Sequence, residues 1–166
     1  MLSFLNFFLS AWDEGMIPPA MVQLLETGVS VVVGTRDAAL MPECTRAWGI
    51  VVGRDRASVT IFLTETISRK TLENLKENGL IAISCTRPTD HLACQLKGRL
   101  RAMRPATASD RARSRTWHRE FSAELIAIGV PSGVCEAWIT EPALALDIEV
   151  TDVFHQTPGP GTGEKV

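Results

Sequence analysis

Ser68, Arg69 and Lys70 sit where a β-like run gives way to a helical one, in the stretch from Phe62 to Gly79, FLTETISRKTLENLKENG. These residue types suit an anion with several oxygens, a phosphate monoester above all. A helix start presents unpaired backbone N–H groups and a partial positive charge. Ser68 adds a hydroxyl donor, Arg69 a fork that can hold two oxygens, and Lys70 a compact charge. Two cations at that end of a helix oppose its dipole, a conflict that a bound dianion would remove. The alternative is a surface helix that tolerates two cations. Spacing alone does not separate the two readings.

Other reactive side chains form no comparable set. Cys44, Cys85, Cys94 and Cys135 make no C-x-x-C pair, and each lies in or beside an apolar run. They read as small buried hydrophobes, not as zinc ligands or a disulfide framework. His91, His118 and His155 are far apart and lack metal spacing. The net charge of −2 offers no basic surface for a nucleic-acid backbone. Arg111 to Arg119 is basic but interrupted by Trp117, as on a solvated helix face. The opening MLSFLNFFLS is apolar, has no Lys or Arg, and is too short to span a bilayer. A cytoplasmic protein without a membrane partner is the expectation.

These residues need a scaffold, and 166 residues suffice for one domain with a real core. The spacing predicts a helix after Pro18-Pro19 that Gly28 closes. It predicts strands over 29–35, 43–52, 57–63 and 80–86, with a helix from Ser68 to Asn78-Gly79 between the last two. A long strand follows over 91–103, with Gly98 at a bulge or close approach. A helix over 107–128 has Ser109 as a plausible cap and a stripe of Trp117, Phe121, Leu125 and Ile128. Two closing strands, over 135–140 and 143–154, precede a Pro/Gly-rich tail that reads as extended or mobile. The division is an apolar extension at 1–17, a domain at 18–154 and a tail at 155–166. The fold class is mainly β (α+β): a closed antiparallel barrel with helices outside, ahead of an open α+β sheet.

The order Phe62, Thr64, Ser68, Arg69, Lys70 resembles the flavin-phosphate segment of the pyridoxamine 5′-phosphate oxidase-like split-barrel family, roughly F-x-T-N-x-x-S-R-K. Glu77-Asn78-Gly79 resembles the end of that family's helix. Pro42-Glu43-Cys44-Thr45-Arg46 is similar to a family strand that supplies an arginine, and Gln95-Leu96-Lys97-Gly98 to a later strand. Gln156 to Pro160 is similar to the Q-T-P-G-P ending of short members. The resemblance spans about residues 18–160. It implies a split β-barrel that pairs as a homodimer, with flavin mononucleotide (FMN) in grooves between subunits. It also implies that Arg46, Thr64, Ser68, Arg69 and Lys70 hold the phosphate and ribityl chain, with Gln95 as a polar wall. Trp48 could pack nearby, though a core or interface role is the safer reading.

The substrate half of the family pattern is missing. Val51 stands where the oxidases place a lysine, and Leu63 where they place a tyrosine; the chain has no tyrosine. The R-x-H and R-P-x-x-S elements are absent. Pyridoxamine phosphate oxidation is therefore rejected as the specific reaction. The expected function is an FMN-dependent oxidoreductase on a small substrate, with catalysis left mainly to the flavin. The alternatives are a non-catalytic flavin carrier, or a haem- or deazaflavin-handling protein on the same fold.

Overall fold

The computed structural model describes residues 16–138 and 140–166. Four helices and seven strands follow in chain order: α1 (Pro19–Leu25), β1 (Ser30–Arg36), β2 (Pro42–Arg46), β3 (Ile50–Val52) and β4 (Ser58–Leu63). Then come α2 (Glu65–Asn78), β5 (Leu80–Thr86), β6 (Ala93–Pro105), α3 (Ala108–Ala127), α4 (Ser132–Ala137) and β7 (Leu144–His155). All strand pairs are antiparallel, in the order β2-β1-β5-β6-β7-β4-β3.

The single strand expected over 43–52 is two strands, and the break closes the sheet. Its first half pairs with β1 and its second with β4. Between them, Ala47 N–H donates to Val31 O, while Trp48 N–H donates to Phe62 O. Gly49 turns the chain at φ +126°, a conformation that a side chain would strain. Strands β1 and β5 alternate half-buried and buried residues along their length. Val31, Val33, Ile83, Leu96, Ile61, Leu146 and Ile148 fill the barrel, all nearly or fully buried. Burial of each such aliphatic chain contributes about 1.5–3 kcal/mol.

Gly98 sits at a register shift between β6 and β7, where a Cβ would stand 2.2 Å from Glu149 O. This confirms the close approach expected there. Gly79 ends α2 at φ +69°, also as expected. Trp117 and Phe121 of α3 are buried and stacked at 5.1 Å, and Trp117 Nε1 donates to Val29 O. The stripe stops short of Ile128, which is exposed, and the cap is Thr107, not Ser109.

Three further expectations change. Residues 132–137 form α4, not a strand. Strand β7 already has β6 and β4 as neighbours, so no sheet edge remains there, and Pro131 favours a helix start. The tail is not extended. Glycines 159, 161 and 163 have positive φ and turn it back, so that Lys165 faces Phe154 and Val166 N–H donates to Val153 O. Cys44 is exposed, because it lies on the outward side of short β2; Cys85, Cys94 and Cys135 are buried as expected. The apolar residues 1–15 lie outside the described residues, while Ile17 is fully buried. No described helix is long and apolar enough to cross a membrane.

Candidate functional site

Helix α2 begins at Glu65, one turn earlier than expected. Thr64 is its N-cap, in extended backbone (φ −103°, ψ 140°), with no side-chain cap hydrogen bond. The unpaired first-turn amides therefore belong to Glu65, Thr66 and Ile67, and Ser68 lies one turn in. Glu65 supplies the first-turn charge that the dipole favours. Arg69 and Lys70 fall in the second turn, where the dipole has largely faded, so the electrostatic conflict expected for them is small.

A turn in, neighbouring residues face opposite surroundings. Ser68 is 1% exposed. Its Oγ lies 3.3 Å from Thr45 Oγ1, and Thr45 Oγ1 donates to Ile67 O at 3.1 Å. Ser68 is thus committed to holding α2 against β2. Arg69 is exposed and makes no hydrogen bond or ion pair among the described residues. Lys70 Nζ is 3.5 Å from Asp37 Oδ2, across an exposed contact. The Met41 amide chiefly holds the Asp37 carboxyl below its ordinary value; desolvation opposes it, and Lys70 adds to the lowering.

Arg46 follows Thr45 and projects from the opposite side of β2. Across the sheet, Arg46 pairs with Val32, Val32 with Ser84, Ser84 with Gln95, and Gln95 with Phe154. Register partners share a face, so Arg46 and Gln95 lie on one outer row. Gln95 Nε2 donates to Ser84 Oγ at 3.1 Å. Arg46 Nη1 donates to Ser30 Oγ at 3.1 Å, and its guanidinium carbon lies 5.7 Å from the Phe121 ring and 5.9 Å from the Trp138 ring. Burial between these rings pulls the guanidinium below its ordinary value. Beside this row, Gly34 and Ala82 floor a shallow groove of about 640 Å³ rimmed by Arg36, Lys97 and Arg99.

The expected site residues thus form two groups. Thr64 caps α2 and Ser68, Arg69 and Lys70 lie on it, while Arg46 and Gln95 share the outer sheet row. Thr45 and Arg46 join them, one holding α2 and the next facing outward. Sequence reasoning missed the two rings around Arg46, which approach from α3 and from beyond α4 and leave no local signal. It also missed a buried polar seam on α2, where Thr71 and Asn74 continue the line of Ser68. Asn74 Nδ2 donates to Thr35 Oγ1 at 3.1 Å. Spacing of three residues from Ser68 was the available clue. Trp48 packs edge-on against Trp117 at 6.4 Å, in keeping with a core role. His118 Nε2 is within 3.1 Å of Cys135 O, a structural contact between α3 and α4.

No family model matches the chain, and no curated protein matches its sequence. Solved structures do resemble it. HupZ from Group A Streptococcus is 17% identical, with a TM-score of 0.56 over 89% of this chain and 100% of that one. A candidate pyridoxamine 5′-phosphate oxidase from Lactobacillus delbrueckii is 13% identical, with a TM-score of 0.54 over 86% and 96%. An FMN-binding protein from Syntrophomonas wolfei is 12% identical, with a TM-score of 0.52 over 92% and 93%. The fold is that of the pyridoxamine 5′-phosphate oxidase-like split barrels.

Proposed function

We infer that the chain binds FMN as a homodimer and serves as an oxidoreductase for a small substrate. The observation that carries this reading is the start of α2: first-turn amides without a side-chain cap, beside an exposed Arg69 that makes no ion pair among the described residues. That donor set suits a phosphate monoester, on a fold shared with a protein described as FMN-binding. Arg69 and the first-turn amides would hold the phosphate, and Lys70 would add attraction at longer range. Thr64 would fix where the helix opens. Arg46 and Gln95, on the outer row, would face the ribityl chain and ring, with Ser30 and Ser84 fixing their orientation. Ser68 would act only by seating α2 on β2.

Bound flavin would supply the electron transfer, so this chain's own work is to bind and orient.

The test is the absorption spectrum of the purified chain, with mass identification of whatever it releases. About one FMN per chain is expected. A haem or deazaflavin spectrum would move the reading to the other chemistries of this fold. Colourless protein that takes up no added FMN would end it. Turnover with NADH or NADPH and oxygen would then distinguish an enzyme from a carrier, and light scattering would check the dimer.

A further inference from the structure

Cys85 on β5 and Cys94 on β6 are directly opposite one another, and both are fully buried on the inner face of the barrel. The kind of pair matters. Arg87 N–H donates to Leu92 O, which makes that rung a hydrogen-bonded pair. Pairs alternate along an antiparallel ladder, so Thr86 and Ala93 are a non-hydrogen-bonded pair and Cys85 and Cys94 again a hydrogen-bonded one. In such a pair the Cα atoms stand about 5.5 Å apart. Disulfides most often span about 5.5–6 Å between Cα atoms. The Cα spacing is therefore already in the disulfide range, and closing the bridge needs only the Cβ atoms, at most about 5.5 Å apart in such a pair, to draw together.

We propose that Cys85 and Cys94 are a reversible redox pair that closes into an intrachain disulfide when the protein meets a hydroperoxide. The Cys94 thiolate attacks a peroxide oxygen, giving a sulfenic acid and releasing water or an alcohol. The Cys85 sulfur then attacks the Cys94 sulfur, the S–S bond forms, and a second water leaves. Two thiols lose two electrons and two protons, and the peroxide O–O bond is reduced. The order follows from the pair's own interaction. Contact with Cys94, and then burial, hold the Cys85 thiol well above its ordinary range, while the same contact lowers Cys94. Access comes from the hairpin end. The pair lies only two rungs from the turn at 87–92, where Asp90, His91 and Leu92 are exposed, and His91 has φ +60°. Exposing both sulfurs takes local opening of those rungs together with the flanking pairs of Cys85 with Val31 and of Cys94 with His155, all near one end of the sheet. None of this depends on the flavin reading.

The experiment uses the full chain carrying Cys44→Ser, which removes the exposed competing thiol. The protein is treated with hydrogen peroxide, alkylated and digested without reductant. Arg87 is followed by Pro88 and resists trypsin, so cleavage before Asp90 is used to separate the two cysteines. The expected product is a peptide pair joined through Cys85 and Cys94, lost on adding dithiothreitol, with two thiols consumed together. Melting temperature should rise on oxidation and return on reduction. In Cys85→Ser the joined pair should vanish and Cys94 should run on to higher oxides. The proposal is overturned if folded protein, checked by circular dichroism, keeps both thiols free under peroxide. Separate oxidation of the two cysteines, or bridging to Cys135, would overturn it equally.

Discussion

Helices α2 and α3 both begin on a threonine in extended backbone, and they treat the exposed amides of their first turns in opposite ways. At α3, Thr107 and Asp110 form a reciprocal capping box: Asp110 N–H donates to Thr107 Oγ1, and Thr107 N–H to Asp110 Oδ2. Arg104 Nη1 then donates to the same carboxylate, while its Nε donates to Asp147. The cap amide and the third amide of that turn are thus both used within the chain. At α2, Thr64 gives no side-chain cap, and Arg69 in the next turn is exposed to solvent. One helix start is closed by its own chain; the other is open. A protein that needs both helices only as structure gains from capping both, so the open end is where a ligand is most economically placed.

The contrast breaks if the α3 cap proves dispensable. Asp110→Ala removes the box and an ionic partner of Arg104, and should cost about 2–3 kcal/mol. Urea unfolding measures it; a loss below half a kcal/mol would mean that the closed end is no better held than the open one. Acid probes the same carboxylate. Asp110 is held down at about 2, chiefly by Arg104. Its folded value lies below its unfolded one, so its stabilisation is fully present above the unfolded value near 3.8. It is lost as pH falls from about 4 through about 2, and the loss should approach about 2 kcal/mol. Asp110→Asn should flatten that part of the stability–pH curve.

The open end is sharpened by Arg69→Ala. Stability should hold within about 0.5 kcal/mol, because the side chain is exposed and bonds to nothing in the described structure. FMN affinity should fall by about 2 kcal/mol, roughly thirty-fold, for one lost charge-assisted bond. Riboflavin lacks the phosphate, so its affinity should barely change. Equal losses for both compounds, read by fluorescence quenching, would place Arg69 at the ring or in folding and remove the phosphate from α2.

Much of this was legible in sequence because strands and helices carry their own periods. The alternation of Val29 to Val33 and of Ile81 to Cys85 fixed two barrel strands. Gly79 and Gly98 marked a stop and a close approach that only glycine tolerates. The break at Ala47–Gly49 was not legible, since it depends on β4 lying ready to receive the second half of the run. The 132–137 helix was hidden for a similar reason: whether a strand forms there depends on a free sheet edge, and β7 has none. Within the site, the types of residue could be read but not their directions. Starting α2 at Ser68 placed that hydroxyl on the phosphate side. Starting it at Glu65 rotates Ser68 into the barrel wall and leaves only Arg69 and Lys70 outside.

Ser68→Ala isolates that last point and should have the smallest effect. The Thr45 hydroxyl has one proton, and Ile67 O receives it at 3.1 Å. Ser68 must therefore be the donor across the 3.3 Å contact to Thr45 Oγ1. That is a long bond, and alanine leaves no unsatisfied donor behind. The cost should be about 0.5–1 kcal/mol of stability. Thr45 keeps its bond to Ile67 O, so the start of α2 stays where it is, and FMN affinity should remain within about twofold. A hydroxyl on the phosphate would instead be worth about 1 kcal/mol or more of binding, at least fivefold. The two outcomes separate cleanly when unfolding and flavin titration are run on the same preparation. A large loss of FMN affinity with unchanged stability would mean that Ser68 leaves Thr45 when flavin arrives. The first turn of α2 would then unwind toward the ligand, and the helix start described as open would be one that rearranges on binding.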